Sequence, residues 1–381
     1  MRLNLEHLDL LKGRKNLLAF SGGVDSTALF FALMRQNIDF DLAMVNYGVR
    51  KNAKNELKYG KKLAKKYHKK IFIFKSSKIK RNFEGEARRV RYAFFERIIL
   101  AKGYENLILA HQLNDRFEWL LMQLTKGCGL NSLLGFSSVA KSSFHFCYSA
   151  SKKNDGEESH QSNRDFPQTL FAQNDKNLLD SRQNYRIIRP MSEISRDKII
   201  AFLKKHKIKF FVDKSNDNAK FKRNYFRKNF GNKLVKKFGR GIVKSFRYLS
   251  ADFNALYGKM QTLKIKHIFL IPHADFAPLQ LLAQIDSIAK KLGYVISQKQ
   301  RAEIVKSKFS CVVGDKIIVD SNQNFIFITT NNFPNAHKHD KKFREKLRIA
   351  QIPPKIRPFV DESTLDSLKN ALVSNISTKS T

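Results

Sequence analysis

Short apolar runs alternate with longer stretches of helical character over the first third of the chain. Four runs have the length and composition of buried strands, and a helix-like stretch follows each of them. The predicted strands cover residues 16–20, 41–49, 70–75 and 106–112, and the predicted helices cover residues 26–36, 55–68, 84–103 and 114–127. This alternation predicts an α/β class fold with a Rossmann-like parallel sheet covered by helices on both faces. Ligands of such sheets bind at the carboxyl ends of the strands.

The pattern changes downstream, and the changes divide the chain into candidate domains. Residues 141–185 hold six Lys/Arg and six Asp/Glu, and we interpret them as a polar surface insertion within a first domain of residues 1–230. A smaller helical or α+β domain is predicted for residues 231–330. It contains helices at 278–292 and 298–308 and ends in a hairpin formed by 311–330. Residues 331–381 form a polar, partly basic tail without a clear structural pattern.

Charge adds a partner to this picture. The 381 residues contain 72 Lys/Arg and 33 Asp/Glu, a formal net charge of +39. Residues 196–247 alone hold 18 Lys/Arg against three acidic residues, with Phe and Tyr interleaved. Cations that meet phosphates and rings that stack on unpaired bases are typical of RNA-binding surfaces. Two alternatives remain open: a lysine-biased composition for the charge, and an amphipathic helix with a Phe core face for the aromatic residues.

Several classes of protein are excluded or disfavoured by composition. No apolar run approaches the ~20 residues of a membrane span, and we expect no membrane partner and no signal peptide. The three cysteines, Cys128, Cys147 and Cys311, form no CxxC pair. This spacing argues against a disulfide framework, a structural zinc site and a cysteine-held iron–sulfur cluster. A reducing cytoplasm is the expected compartment.

The hexapeptide SGGVDS, residues 21–26, carries the clearest chemical signal. It lies between a buried strand that ends at Phe20 and a helix that begins near Ser26. Glycine backbone and a helix N-terminus bind phosphate well, and serine hydroxyls add donors. An acid beside phosphate requires a bridging cation, so Asp25 predicts Mg²⁺. The alternative, an ordinary Gly-rich turn, explains the two glycines but not the whole motif.

SGGxDS after a first strand resembles the pyrophosphatase-type P-loop (PP-loop) of enzymes that adenylate a substrate. Further segments resemble the tRNA(Ile)-lysidine synthetase family: MVNYGVR, NFEGEARRVRYAFF, LAHQLNDRFEWLLMQLTKGCGLNSLLGF and IRPMSEISRDKIIAFLKKHKIKFFVDKSNDNAKFKRNYFR. This chain departs from the pattern of that family at Met44, Tyr47, Asn114, Arg116 and Trp119.

The resemblance implies a two-step reaction that consumes ATP. The C2 oxygen of the wobble cytidine, position 34 of the isoleucine tRNA with a CAU anticodon, is adenylated, and the amine of free L-lysine then displaces AMP. Two alternatives of other kinds stay open: a related adenylating enzyme such as a tRNA thiolase or an amidotransferase, and an RNA-binding protein without enzyme activity. The oligomeric state is also open, with a homodimer as one option.

The resemblance also distributes roles over the sequence. The residues expected to bind ATP are Ser21, Gly22, Gly23, Val24, Asp25 and Ser26, and Asp25 is also expected to hold Mg²⁺. The catalytic candidates are Asp25, His111, Asp115 and Glu118. The residues expected to contact tRNA or substrate are Arg88, Arg91, Arg196, Asp213, Asn216, Arg223 and Arg227.

Simpler roles compete with several of these assignments. Asp115 and Glu118 would also suit the solvated start of a helix, where acids are favoured. Arg88 and Arg91 would also suit a charged surface, and His111 a structural position at the end of a buried strand.

The glycines of the loop generate a first prediction. We expect Gly23→Ala to slow ATP use, because a methyl group would intrude where the backbone must approach phosphate. The measurement is the rate of pyrophosphate release in the presence of tRNA and lysine. A rate equal to that of the wild type would refute the assignment of residues 21–26 to phosphate binding.

Overall fold

The computed structural model of the chain divides into two compact units, Met1–Leu249 and Ser250–Thr381. The structure describes residues 2–48, 53–76, 79, 83–142, 184–212, 222–258, 260, 262–272, 276–331 and 339–377. Within these ranges, no helix combines the length and the apolar character that a membrane crossing requires.

A six-stranded sheet forms the centre of the first unit. Its strands are β1 (Asn16–Ala19), β2 (Asp41–Asn46), β3 (Ile71–Lys75), β4 (Asn106–Ile108), β5 (Val139–Ser142) and β6 (Tyr185–Ile188). The spatial order is β3-β2-β1-β4-β6-β5. All neighbouring pairs are parallel except β5 and β6, which are antiparallel. The predicted α/β class is confirmed, and the four predicted strands coincide with β1 to β4.

Helices cover this sheet on both faces. They are α1 (Val24–Met34), α2 (Ala53–Lys66), α3 (Phe83–Lys102), α4 (Leu113–Leu124), α5 (Leu130–Leu133) and α6 (Arg196–Lys205). Alternate residues of β1 show the two-sided burial: Leu18 belongs to the core that contains α1 and α6, and Leu17 belongs to the core that contains α3. A strand buried on both faces explains why the apolar runs of the sequence are continuous rather than alternating.

β5 and β6 lie at the two ends of the predicted polar insertion. Their register pairs Lys141 with Arg186 and Ser142 with Tyr185, so residues 142 and 185 are held opposite one another. Residues 143–183, most of the predicted insertion, lie outside the described residues. Sequence analysis missed both strands because each has only four residues and charged positions interrupt the apolar ones.

A long helical stretch closes the first unit. It contains α7 (Lys222–Phe226), a π-helical turn (Arg227–Gly231) and α8 (Asn232–Tyr257). The predicted boundary between residues 230 and 231 falls inside this stretch. The compact units instead divide between Leu249 and Ser250, because Val235 and Phe246 of α8 pack with α4 of the first unit.

The second unit is a five-stranded antiparallel sheet with helices on both faces. Its strands, in the spatial order β7-β8-β11-β10-β9, are β7 (Leu263–Ile265), β8 (Ile268–Pro272), β9 (Cys311–Val313), β10 (Ile317–Ser321) and β11 (Phe325–Thr330). Its helices are α9 (Pro278–Lys291), α10 (Gln298–Lys306), α11 (Lys341–Ile349) and α12 (Glu362–Ser377). The predicted hairpin at 311–330 is present as β10 and β11, while Gly314 begins a turn that separates β9.

The stretch interpreted as a polar tail contributes to this core. Three residues of this stretch are fully buried against Phe327 and Leu270: Leu347 of α11, Ile356 between the two helices, and Leu368 of α12. The apolar residues here are spaced widely among Lys and Arg, so the overall polarity of residues 339–377 hides a narrow buried face.

Candidate active site

The loop between β1 and α1 has the geometry of a phosphate-binding turn. Gly22 has a φ of +74°, a left-handed conformation that favours glycine. Gly23 is the N-cap of α1 with an extended backbone, φ −75° and ψ 175°. A Cβ added at Gly23 would lie 3.3 Å from Ser21 Oγ, with no backbone atom in contact. The fold therefore accommodates an alanine at 23 with little strain, and an effect of Gly23→Ala on ATP use would report on the ligand.

Hydroxyl groups hold the loop in shape. The backbone N–H of Ser21 donates to Ser26 Oγ at 3.2 Å, and the two serine hydroxyls are 3.1 Å apart. The N–H of Phe211 donates to the carbonyl oxygen of Gly22 at 3.1 Å, which ties the loop to the segment after α6. The predicted phosphate-binding residues thus form one compact turn at the carboxyl end of β1.

Asp25 lies in the first turn of α1 with an unusual environment. Its Oδ1 atom is buried and has no hydrogen-bond partner among the described residues. Burial and the nearby carboxylate of Asp115 raise the pKa of Asp25 to about 7, against a smaller opposite effect of Arg196 and Arg227. A carboxylate that is short of positive charge in the free protein is suited to bind a cation.

Asp115 and Glu118 of α4 form the second half of the site, and both are bound to arginines. Arg223 donates from Nη2 to Asp115 Oδ1 at 2.7 Å and from Nε to Glu118 Oε2 at 3.1 Å. Arg227 donates from Nε to Glu118 Oε1 at 2.7 Å and from Nη2 to Glu118 Oε2 at 3.0 Å. Glu118 is fully buried, so these guanidinium groups neutralise a carboxylate that water cannot reach. We call these four side chains the acid–arginine cluster.

Local structure explains why the cluster forms. Asp115 is residue N3 of α4 and accepts from the backbone N–H of Gln112 at 3.2 Å, in a capping box that fixes the helix start. Glu118 follows three residues later on the same face. Arg223 and Arg227 are four residues apart at the junction of α7 and the π-helical turn, so their side chains also share a face. π-helical turns of this kind are frequent at functional sites.

His111 lies beside this cluster, just after β4. Arg189 donates from Nε to His111 Nδ1 at 3.2 Å and from Nη1 to the carbonyl oxygen of Ser137 at 2.8 Å. The ring of Phe136 contacts both residues, with centroids 5.0 Å from the His111 ring and 5.2 Å from the Arg189 guanidinium. Burial lowers the pKa of His111 to about 4 against the opposite effect of the Asp115 carboxylate, and Arg189, Arg88 and Arg223 act in the same direction as burial. His111 is therefore a neutral imidazole that accepts a hydrogen bond at Nδ1.

The positions that depart from the family pattern have structural roles here. Asn114 is buried: its Oδ1 accepts from the backbone N–H of Arg196 at 3.1 Å, and its Nδ2 donates to Asn232 Oδ1 at 2.9 Å. The Arg116 guanidinium lies 4.1 Å from the centroid of Phe246. The side-chain oxygen of Asn114 thus joins α4 to α6.

Two substitutions in the second strand are also absorbed by packing. Met44 is buried in the core and contacts Gly60 of α2, which has no side chain to compete for that space. Tyr47 donates its hydroxyl to the carbonyl oxygen of Ala87 at 2.8 Å and joins the end of β2 to α3.

The remaining predicted residues are distributed around the site. Arg88 is exposed on α3, with its guanidinium 5.0 Å from the centroid of Tyr92. Arg91 is half-buried on the same helix, and Arg196, at the start of α6, is close enough to Asp25 to affect its pKa. Asp213 and Asn216 lie outside the described residues. The site roles assigned to all these residues remain predictions.

Two contacts that shape this site have no signal in the sequence. Arg189 belongs to a segment that resembled the family, but its contact with His111, 78 positions away, left no local signal. The sequence predicts that Arg223 and Arg227 contact tRNA or substrate, and it does not indicate that both guanidinium groups bind acids of α4. The sequence shows that the predicted site contains both acids and arginines, which favours ion pairs between them. It does not identify which acid binds which arginine.

Comparison with known families agrees with this geometry. The PP-loop domain family matches residues 2–234, which include the loop, the sheet and the acid–arginine cluster. The first unit therefore has the fold and the phosphate loop of a PP-loop protein.

Relatives with assigned functions narrow the class. A tRNA(Ile)-lysidine synthase of Campylobacter jejuni (strain RM1221) is 39% identical over 96% of this chain and 98% of its own length. Enzymes with the same name from Helicobacter pylori (strain ATCC 700392 / 26695) and Wolinella succinogenes are 37% and 38% identical, and the matches cover 95% and 98% of their lengths. This chain belongs to the tRNA(Ile)-lysidine synthase family.

The environment of His111 predicts a pH-dependent loss of stability. Its pKa is lowered from 6.5 to about 4 in the folded chain, so between these values the unfolded chain binds a proton that the folded chain does not. The stabilisation is present above pH ~6.5 and is lost as the pH falls towards ~4. As the pH falls from ~6.5 to ~4, we expect the free energy of unfolding of the wild type to decrease by about 2–3 kcal/mol more than that of His111→Asn.

Urea denaturation of both proteins at pH ~6.5 and at pH ~4 measures this difference in the free energy of unfolding. The amide oxygen of asparagine can still accept from Arg189, so the variant changes mainly the titration. His68→Asn, at an exposed position with a φ of 52°, is the matched control and should follow the wild type. Parallel pH profiles for His111→Asn and the wild type would contradict the buried neutral imidazole.

Proposed function

We propose that this protein is a ligase that joins free L-lysine to C2 of the wobble cytidine of a CAU-anticodon tRNA(Ile), with ATP as the energy source. The observation that carries the proposal is the juxtaposition of the phosphate loop at Asp25 with Asp115 and Glu118. One half suits the adenylating step, and the other suits binding and deprotonation of an amine. The membership of the lysidine synthase family identifies the RNA and the product.

The phosphate loop supports the first step. Backbone N–H groups at Gly22 and Gly23, together with the hydroxyls of Ser21 and Ser26, would bind the phosphates of ATP. The buried Oδ1 of Asp25, without a partner among the described residues, fits a Mg²⁺ ligand. When bound, Mg²⁺ supplies positive charge that stabilises the pyrophosphate as it leaves. No three His, Cys, Asp or Glu side chains cluster as a metal site in the described ranges, so the other ligands of a Mg²⁺ ion at Asp25 would be phosphate oxygens and water.

The acid–arginine cluster supports the second step. The attacking amine of lysine must be neutral. A carboxylate must therefore first bind its ammonium group and then accept a proton from it. Asp115 and Glu118 already bind two cationic groups, and Arg223 is the more accessible of these, with 41% of its side chain exposed against 15% for Arg227. An ammonium group in place of the Arg223 guanidinium would find the same carboxylate oxygens. The amine then attacks C2, and AMP leaves with the C2 oxygen.

His111 and Arg189 would serve this site as a positioning pair. A neutral imidazole that accepts at Nδ1 has its proton on Nε2, which is a donor near neutral pH. It would orient a substrate oxygen without adding another positive charge to those of Arg88 and Arg223. The compartment we expect for tRNA modification is a reducing cytoplasm, which agrees with a sequence of only three cysteines.

A labelling experiment tests the reaction and the role of Asp25 together. The wild type is incubated with ATP, Mg²⁺, radiolabelled lysine and a panel of tRNAs, and we expect label only in tRNA(Ile) with a CAU anticodon. Asp25→Asn keeps the shape of the side chain but removes its charge, so we expect pyrophosphate release and labelling to fall at least about a hundredfold while tRNA affinity changes little. Equal losses of turnover and affinity would mean that Asp25 supports the fold. Label in another tRNA, or in none, would refute the proposed reaction.

Charge on α7 and α8 predicts a steep salt dependence of tRNA binding. Residues 222–249 contain ten Lys/Arg and no Asp/Glu, and Lys236 and Lys237 are exposed among them. We expect log Kd to rise linearly with log salt, and a Lys236→Ala/Lys237→Ala variant to reduce the slope by about 1.5–2. Filter binding at a series of salt concentrations gives both slopes.

The matched control for this prediction is Lys61→Ala/Lys62→Ala. These two lysines are exposed on α2, outside the basic segment. An equal reduction of the slope by both double variants would show that the charge acts diffusely rather than through α8.

A further inference from the structure

Trp119 is an exposed aromatic side chain beside the candidate active site that the proposed chemistry does not use. It is the single tryptophan of the sequence, and 44% of its surface is exposed. It lies on α4 four residues after Asp115 and next to Glu118. Residues four apart on a helix share a face, so the indole lies one turn along from the acid that the reaction requires.

The indole is held in place although it is exposed. Its Nε1–H donates to the carbonyl oxygen of Ser132 at 2.9 Å. It also lies against Gly135, where a Cβ would be 2.8 Å from Trp119 Cδ1 and where φ is +69°. A fixed ring loses little conformational freedom when a ligand binds, so an exposed ring of this kind is suited to recognition.

The charges around the ring favour a nucleic acid as the ligand. Arg223, with 41% of its side chain exposed, flanks the same face of α4, and the exposed Lys126 follows the end of the helix. The net charge of the whole chain is +39. An aromatic surface between cations is the usual arrangement that binds unpaired nucleotides, with rings on the bases and cations on the phosphates.

We propose that Trp119 stacks on an unpaired base of the tRNA anticodon loop, next to the nucleotide that reacts. This inference rests on the proposed function, because that function brings the loop to Asp115. The adenine of ATP is the other source of a flat base. The RNA base is favoured because Trp119 lies about one helical turn, ~5.4 Å, further than Asp115 from the strand end near the phosphate loop. Trp119 is thus a positioning residue for the RNA.

Intrinsic fluorescence gives a direct test, because all tryptophan emission comes from this residue. The wild type is titrated with a synthetic stem–loop that carries the CAU anticodon, and binding is followed in parallel by anisotropy of a labelled stem–loop. We expect quenching that saturates with binding. Stem–loops with an abasic site at each loop position in turn should identify the stacked base, since one of them should bind without quenching.

Two fluorescence outcomes would overturn the proposal. One is saturated binding of the stem–loop without any change in emission. The other is equal quenching by Mg²⁺ and ATP alone, which would assign the ring to adenine.

Kinetics with matched variants test whether the stacking matters for the reaction. Trp119→Phe and Trp119→Leu both lose the hydrogen bond to Ser132, but only the phenylalanine variant keeps a ring. We expect Trp119→Leu to raise the KM for tRNA about tenfold with little change in kcat, and Trp119→Phe to restore most of that loss. Leu279→Ala, at a 74% exposed apolar position on α9 and outside the basic segment, is the control and should match the wild type.

The outcomes separate this inference from the proposed function. If the wild type fails to label any tRNA with lysine, the proposed function fails. If the wild type labels tRNA(Ile) but Trp119→Leu and Trp119→Phe have the same KM for tRNA as each other, only the stacking role of Trp119 is refuted. Circular dichroism melting curves of the three variants identify any loss that comes from unfolding, and the fluorescence titration of the wild type is independent of all variants.

Discussion

The buried carboxylate of Glu118 is the constraint on which the rest of the site depends. A charge at a fully buried position is strongly unfavourable unless cations reach it, and here Arg227 binds both of its oxygens while Arg223 binds one. This requirement fixes α7 and the π-helical turn against α4, although the contacting residues are 105 and 109 positions apart. The same arginines bind Asp115. The charges of Asp115 and Glu118 in turn raise the pKa of Asp25.

Under the proposed function, the arrangement that stabilises the free protein would also present carboxylates to a cationic substrate. Two guanidinium groups satisfy the carboxylates until a ligand competes for them, so the buried acids are never left without counter-charge. The cost of the arrangement appears at Asp25, where neighbouring acids and burial disfavour ionisation. The two arginines therefore compensate both Asp115 and Glu118, whereas Asp25 Oδ1 has no hydrogen-bond partner among the described residues, and the proposed function assigns that oxygen to a cation.

The sequence predicted the features that arise from local patterns. The strands β1 to β4 and the phosphate loop depend on contiguous residues, and their bounds agree with the structure to within a few positions. The features that were missed depend on distant partners or on weak patterns. Arg223 gave no sign of binding Glu118, Asn114 gave no sign of joining α4 to α6, and the buried face of α11 and α12 was obscured by the lysines and arginines around it. The roles of Arg88, Arg91, Asp213 and Asn216 depend on a bound substrate and stay predictions.

The antiparallel pair of β5 and β6 has a consequence for how this chain tolerates change. Its register holds Ser142 opposite Tyr185, so the two chain ends that residues 143–183 join in the sequence are neighbours. Closing a longer or shorter loop between fixed ends changes the free energy only logarithmically with length. Arg189, which donates to His111, follows β6 directly. Its position therefore depends on the pairing of β6 and not on the number of residues between β5 and β6. Because β5 and β6 are paired at this point, we expect a change in the number of residues between them to leave the residues on the other side of the ladder in place.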